Sequence, residues 1–264
     1  MITLGSVSFL NAKPLTYGIE TGAVESDFEI IATPPARLSI MLSQNELDLG
    51  LIPVAEFLKR SDYSAVAGIS ISSNGPVDSV ILLLGKELKD VRRISVDNRS
   101  QSSTALLRII FEIFLGMKPE YLPRCPEDNF LDGVDAGMVI GDAGLRLMYE
   151  PPPGYEVMDL GTTWTEKTGL PFVYAVFAVN KGVKLGRNAE ALLESREYGL
   201  SKRKEIAETE SAKLNIDEDI CYKYLTERIR YDLGEAETGG MIKYSGYLAE
   251  LGLCGKINHV NMYY

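Results

Sequence analysis

Short apolar runs alternate along the chain with segments whose apolar residues recur every three or four positions. The runs Ile2–Val7, Phe28–Thr33, Leu47–Val54, Ala65–Ser72, Val80–Leu84, Ile94–Val96, Gly137–Ile140, Glu156–Leu160 and Phe172–Val179 read as strands. Helical periodicity follows Pro14, runs from Pro34-Pro35 to Leu42, and covers Ala55–Arg60 and Ala143–Met148. A further helix places Ala105, Leu106, Ile109, Ile110 and Ile113 on one buried side. From Arg187 to Leu251 the pattern is mostly helical, with Lys/Glu-rich faces. Strand and helix in alternation predict an α/β fold with largely parallel sheets.

Val80–Leu84 and Phe172–Val179 are long apolar strands that bracket a middle segment with its own strand–helix alternation. A chain that leaves one lobe, builds a second and returns needs two crossings. Residues 1–84 with 180–264 are therefore expected to form one lobe and residues 85–179 the other, with a ligand cleft between them. A single three-layer domain is the alternative at 264 residues.

A net charge of −10 argues against nucleic acid or an anionic membrane surface as partner. An anionic ligand would have to be held by local donors against that field. The start Met-Ile-Thr-Leu-Gly-Ser-Val-Ser has no basic stretch followed by an apolar one, and no run reaches membrane-spanning length. Cys125, Cys221 and Cys254 are odd in number and widely spaced, which suits reduced thiols. A cytoplasmic protein is the expectation, and the sequon Asn98-Arg99-Ser100 is then a chance match.

The chain lacks G-x-G-x-x-G, the phosphate-loop pattern and G-x-S-x-G. Its single histidine, His259, sits close to the C-terminus, so a zinc site has almost no candidate ligands. Glu127, Asp128, Asp132 and Asp135 lack calcium-loop spacing and read as a solvated loop. No metal and no cofactor are expected, leaving hydroxyls, amides, carboxylates and a few cations. Ser100, Ser102, Ser103 and Thr104 crowd the start of a helix, where free N–H groups already favour an anion. One hydroxyl satisfies a cap, so the surplus points to a carboxylate or phosphate site. Polar groups also stand beyond other strands: Ser6, Ser8, Asn11 and Lys13 after the first, Ser79 beside the turn Asn74-Gly-Pro76, and Asp142 at a helix start. Asp142 reads as a helix cap and Trp164, the only tryptophan, as a packing residue.

Five colinear strings carry a resemblance: Ser6-Val-Ser-Phe-Leu-Asn-Ala-Lys-Pro-Leu15, Gly75-Pro-Val-Asp-Ser-Val80, Asp97-Asn-Arg-Ser-Gln-Ser-Ser-Thr-Ala105, Ile140-Gly-Asp-Ala143 and Trp164-Thr-Glu-Lys-Thr-Gly-Leu-Pro-Phe-Val-Tyr-Ala175. Together they resemble the chorismate dehydratases, which open the futalosine route to menaquinone. The resemblance runs from Val7 to about Val179, and the helical C-terminal third adds little to it. It implies the two-lobed, type II fold of periplasmic solute-binding proteins, a dicarboxylate substrate (chorismate) and loss of water to give 3-[(1-carboxyvinyl)oxy]benzoate. A naphthoate-forming sister family of the same pathway usually begins with a Ser-Pro-Cys-Pro-Asn-Asp-Thr-like string, which this chain lacks. A non-catalytic carboxylate-binding protein of the same fold is the other rival.

With that chemistry in view, Asn11 and Ser79 are the candidate catalytic donors to the departing oxygen. Ser8, Lys13, Ser102, Ser103, Thr104 and Asp142 are the candidate substrate-binding residues. The base is either the substrate's own enolpyruvyl carboxylate or Asp142.

Overall fold

A computed structural model describes residues 1–97, 100–124 and 129–264. Asn98 and Arg99 of the hydroxyl-rich loop, Cys125, and Glu127 and Asp128 of the acidic run lie outside the described residues.

Among the described residues two mixed sheets form, each flanked by helices. The first has the order β11-β4-β10-β3-β1-β2, with β1 Ile2–Ser6, β2 Phe28–Ala32, β3 Leu49–Pro53, β4 Ser64–Ser73, β10 Phe172–Val179 and β11 Met262–Tyr263. The second has the order β7-β6-β8-β5-β9, with β5 Val80–Leu84, β6 Arg93–Asp97, β7 Glu120–Arg124, β8 Ala136–Ile140 and β9 Glu156–Asp159. Strands β3, β5 and β8 are buried at every position, as their unbroken apolar runs require.

The two long apolar strands do not belong where the sequence places them. β5 pairs with β8 and β9 in the second sheet, and β10 pairs with β3 and β4 in the first. Apolarity reports burial on both faces and says nothing of which sheet does the burying. The crossings fall just before each strand, at residues 74–79 and 169–171, where Asn74-Gly-Pro76 and Gly169-Leu-Pro171 break the chain. Entering from the other sheet, β10 runs antiparallel to β3 and β4, and β5 to β8 and β9. The sheets are thus less uniformly parallel than the βα alternation predicts.

Strands β7 and β11 escape the hydrophobic pattern. β7, Glu-Tyr-Leu-Pro-Arg, contains a proline and has only partial burial, which suits its place at the edge of its sheet. β11 is two residues long and also lies at an edge.

The helices are α1 Lys13–Glu20, α2 Pro35–Ser43, α3 Val54–Leu58, α4 Gln101–Arg108, α5 Gly141–Tyr149, α6 Leu160–Thr168, α7 Arg187–Ser201, α8 Arg203–Leu214, α9 Glu218–Lys223 and α10 Glu235–Glu250. A π-helical turn extends α4 over Ile109–Phe114, and another extends α9 over Tyr224–Arg228. Such turns are rare and mark functional regions more often than chance.

Side chains on the second sheet's flank fasten the first crossing. Asp159, the N-cap of α6, accepts hydrogen bonds from the amides of Val77 at 3.0 Å and Asp78 at 2.7 Å. Thr165 Oγ1 accepts from the Gly75 amide at 2.9 Å. At the second crossing Trp164 donates its indole N–H to the Pro171 carbonyl. The Trp164 ring packs edge-on to Phe172 and Tyr244, fully buried. Trp164 is therefore a packing residue, as expected, and it joins α6 to β10 and α10.

Candidate active site

A cavity of about 80 Å³ lies where the two sheets meet, walled by the segment after β1 and by β3, β4 and β10 on one side and by β5, β8 and α4 on the other. Of the described residues lining it, none is charged. Val7, Leu51, Ile71, Val80 and Ile140 make an apolar wall, and Asn11, Ser79, Ser100, Ser102, Ser103 and Tyr174 supply the polar atoms. The helix starts at Pro35 (α2), Pro53 (the N-cap of α3), Ser100, Ser102 and Ser103 (α4) and Gly141 (α5) all border it. Their partial positive ends give an uncharged chamber a preference for anions.

The hydroxyl-rich start of α4 divides its labour. Ser100 is the N-cap, accepting from the Ser103 amide at 3.3 Å. Ser102 Oγ accepts from the Ala55 amide at 2.9 Å, so it caps α3, a neighbouring helix, while its own proton stays available. Ser102 carbonyl accepts from the Tyr244 hydroxyl at 2.9 Å, which pins the turn from behind. Ser103 faces the cavity. Thr104 does not: the helix turns about 100° per residue, and Thr104 instead borders a groove shared with Lys59, Gln101 and Arg108.

Asn11 and Ser79 reach the same cavity from different loops and meet at one hydroxyl. Asn11 Nδ2 donates to Tyr224 Oη at 3.0 Å, and Tyr224 Oη donates to Ser79 Oγ at 2.7 Å. Tyr224 is the first residue of the π turn after α9 and is 1% exposed. Burial, with the negative charge of Asp142 adding to it, holds the Tyr224 phenol well above its ordinary pKa, so it stays protonated and able to donate. Ser79 is held from behind as well: a Cβ on Gly144 of α5 would stand 2.6 Å from the Ser79 carbonyl oxygen, so only glycine allows that approach.

Beside Ser79, Asp78 has a left-handed backbone, φ 60°. Its buried carboxylate accepts from Arg228 Nε and Tyr149 Oη, each at 2.8 Å. Tyr174 Oη lies 3.0 Å from Ser73 Oγ, tying the cavity wall to the first crossing.

The remaining expected site residues lie elsewhere. Ser8 is exposed and does not border the cavity. Lys13, on α1, points to Glu20 at 4.0 Å and likewise does not border it. Asp142 Oδ1 accepts from the Leu10 amide at 3.0 Å, joining the second sheet's α5 to the loop that carries Asn11. Asp142 is neither a cavity residue nor the cap of α5, whose N-cap is Ile140. Burial pushes its pKa up to about 6, Glu210 adding to the rise while the Leu10 amide and Lys13 oppose it. These three residues sit at predicted strand ends, but that position fixes only the loop, and the side-chain direction is decided by packing.

Tyr224, which bonds both Asn11 and Ser79, is the residue that the sequence conceals. It lies in a polar helical stretch with no motif, and a tyrosine there reads as amphipathic packing. His259 is exposed. Among the described residues no cluster of His, Cys, Asp or Glu is placed to hold a metal ion, and no helix is long and apolar enough to cross a membrane.

A family model described as menaquinone biosynthesis matches residues 2–250. The chorismate dehydratase of Thermus thermophilus is 29% identical over 254 residues, covering 90% of this chain and 92% of that protein. A crystal structure of an Archaeoglobus fulgidus protein superposes with a TM-score of 0.73 at 17% identity, covering 96% of this chain and 98% of the other. A Candida albicans protein, described as having the generic periplasmic binding protein fold, gives a TM-score of 0.64 at 12% identity over 100% of this chain and 98% of its own. At such identities the structural likenesses show the fold alone, and that fold is the two-lobed one of the periplasmic binding proteins.

Proposed function

The chain belongs to this menaquinone-biosynthesis family, and on that premise we propose that its cavity removes water from chorismate, making the protein a hydro-lyase. The observation that carries the reading is the convergence of Asn11 and Ser79, from two separate loops, on one uncharged, anion-favouring chamber.

Chorismate carries two carboxylates, on the ring and on the enolpyruvyl group. The starts of α4 and α5, with the Ser102 and Ser103 hydroxyls, supply donors for a carboxylate without a buried cation. The ring oxygens on neighbouring carbons are trans, so the proton to be lost and the departing hydroxyl share a face. In a syn elimination the base takes the C–H proton, the C–H electron pair becomes a ring double bond, the C–O bond breaks, and the departing hydroxide takes up the proton that the base removed and leaves as water. The ring becomes aromatic, which drives the step, and nothing is oxidised or reduced. Ser79 and Asn11 donate to the departing oxygen and stabilise the charge developing there.

The base is the substrate's own enolpyruvyl carboxylate, tethered beside the proton it removes. Asp142 is set apart from the cavity and its Oδ1 is engaged with the Leu10 amide, which favours this assignment over Asp142.

Purified protein incubated with chorismate should abolish the cyclohexadiene absorbance and yield 3-[(1-carboxyvinyl)oxy]benzoate. Asn11→Ala and Ser79→Ala should each lower kcat by roughly ten- to a thousand-fold, in the manner of oxyanion-type donors. Asp142→Asn should retain substantial turnover. Tight binding of chorismate without turnover would make the protein a carboxylate-binding module instead.

A further inference from the structure

We propose that Tyr224 is a positioning residue that fixes the direction of hydrogen bonding at the active site, committing Ser79 to donate toward the departing oxygen. The inference rests on the reading of the cavity as a dehydratase site.

A serine hydroxyl has one proton and rotates freely, so in an open pocket it can accept from a ligand as readily as donate. Here that freedom is removed. Tyr224 has one phenolic proton and gives it to Ser79 Oγ at 2.7 Å. It accepts from Asn11 Nδ2 at 3.0 Å. With its oxygen already accepting from Tyr224, Ser79 places its own proton elsewhere, and its side chain borders the cavity. Asn11 spends one N–H on Tyr224 and keeps its second N–H and its Oδ1 for the chamber. The three groups form a one-way chain from Asn11 through Tyr224 to Ser79, and polarisation along such a chain strengthens its last donor.

Tyr224 itself does not border the cavity, so it acts through the two residues that do. Its hydroxyl is buried within the protein, and satisfying a buried hydroxyl needs only one partner. Two partners, both candidate catalytic groups and both from other parts of the chain, exceed what burial demands. The place of Tyr224 at the start of a π turn agrees with a backbone adjusted to bring one side chain to one point.

The test is a double-mutant cycle in chorismate turnover. Tyr224→Phe keeps the ring and its packing while removing the hydroxyl, and should lower kcat about ten- to a hundred-fold with KM changed less than about threefold. Placed in a Ser79→Ala background, the same substitution should cost less than about twofold more, because the group it acts through is gone. Wild-type kcat in Tyr224→Phe, or an equal loss in both backgrounds, would overturn the inference while leaving the dehydratase reading intact. A wild-type protein that leaves chorismate unchanged would sink both. Should Tyr224→Phe fail to fold, 3-fluorotyrosine at position 224 makes the phenol a stronger donor without removing it. In that protein kcat should shift at least about twofold at constant KM, and an unchanged kcat would count against the inference.

Discussion

Gly161 faces the phenol of Tyr174 so closely that a Cβ at position 161 would stand 2.7 Å from the Tyr174 hydroxyl oxygen. The same Cβ would meet the Gly75 carbonyl at 2.8 Å and Ser73 Oγ at 2.9 Å, so it would press on the first crossing from two sides. Gly161→Ala should destabilise the fold by about 1–3 kcal/mol, the usual cost of overpacking. It should also break the Ser73–Tyr174 hydrogen bond. Thermal unfolding measures the first effect, and an unchanged Tm would mean that the crossing yields without strain.

Ser102 and Ser103 are neighbours with separable duties. Ser102→Ala leaves the Ala55 amide without its acceptor and should cost about 1 kcal/mol of stability, as a lost helix cap does. Ser103→Ala should leave the unfolding midpoint unchanged and weaken product binding by about 1.5–3 kcal/mol, the worth of a hydrogen bond to a charged group. Calorimetry and denaturant titration of the two variants would distinguish the roles. If Ser103→Ala destabilises the fold and binds product normally, its hydroxyl serves the helix and not the ligand.

Asp142 gives the stability a pH dependence of known sign. Its pKa is about 6 in the folded protein, raised by burial above an ordinary value of 3.8. Between those values the folded chain keeps a proton that the unfolded chain has released, so stability falls as pH rises through this window. The contribution is complete below the lower value and gone above the upper. Asp142→Asn removes the titration, and its stability relative to wild type should rise across pH 4 to 6 by up to about 3 kcal/mol. Denaturant midpoints of both proteins from pH 4 to 7 would show it. A difference that does not change with pH would mean that the carboxyl titrates as if exposed.

Much of this architecture is legible in the residue pattern. The run Val80–Leu84 has the bounds of β5, and Phe172–Val179 those of β10. What the pattern could not carry is which sheet each joins, because a strand buried on both faces looks the same in either. At the cavity, Asn11, Ser79, Ser102 and Ser103 are residues that local rules single out, namely a polar residue past a strand end and hydroxyls in a helix's first turn, and the structure brings all four to its lining. Thr104 fails on helical phase, and Lys13 and Asp142 on side-chain direction. Tyr224 was beyond reach, since its two partners lie 213 and 145 residues away in the chain and no local signal encodes such a meeting.

The π turn after α9 reaches the first crossing twice. Tyr224 at its start bonds Ser79, and Arg228 at its end bonds Asp78, the adjacent residue. A π turn holds one residue more than an α turn, so the length of this stretch, and not only its composition, sets where both side chains land. Deleting one residue between 224 and 228 would rotate one contact off its partner while leaving every residue of the five motifs in place. Grafting those motifs onto another scaffold of the same fold would thus transfer the chamber's wall without the clasp that holds it in register.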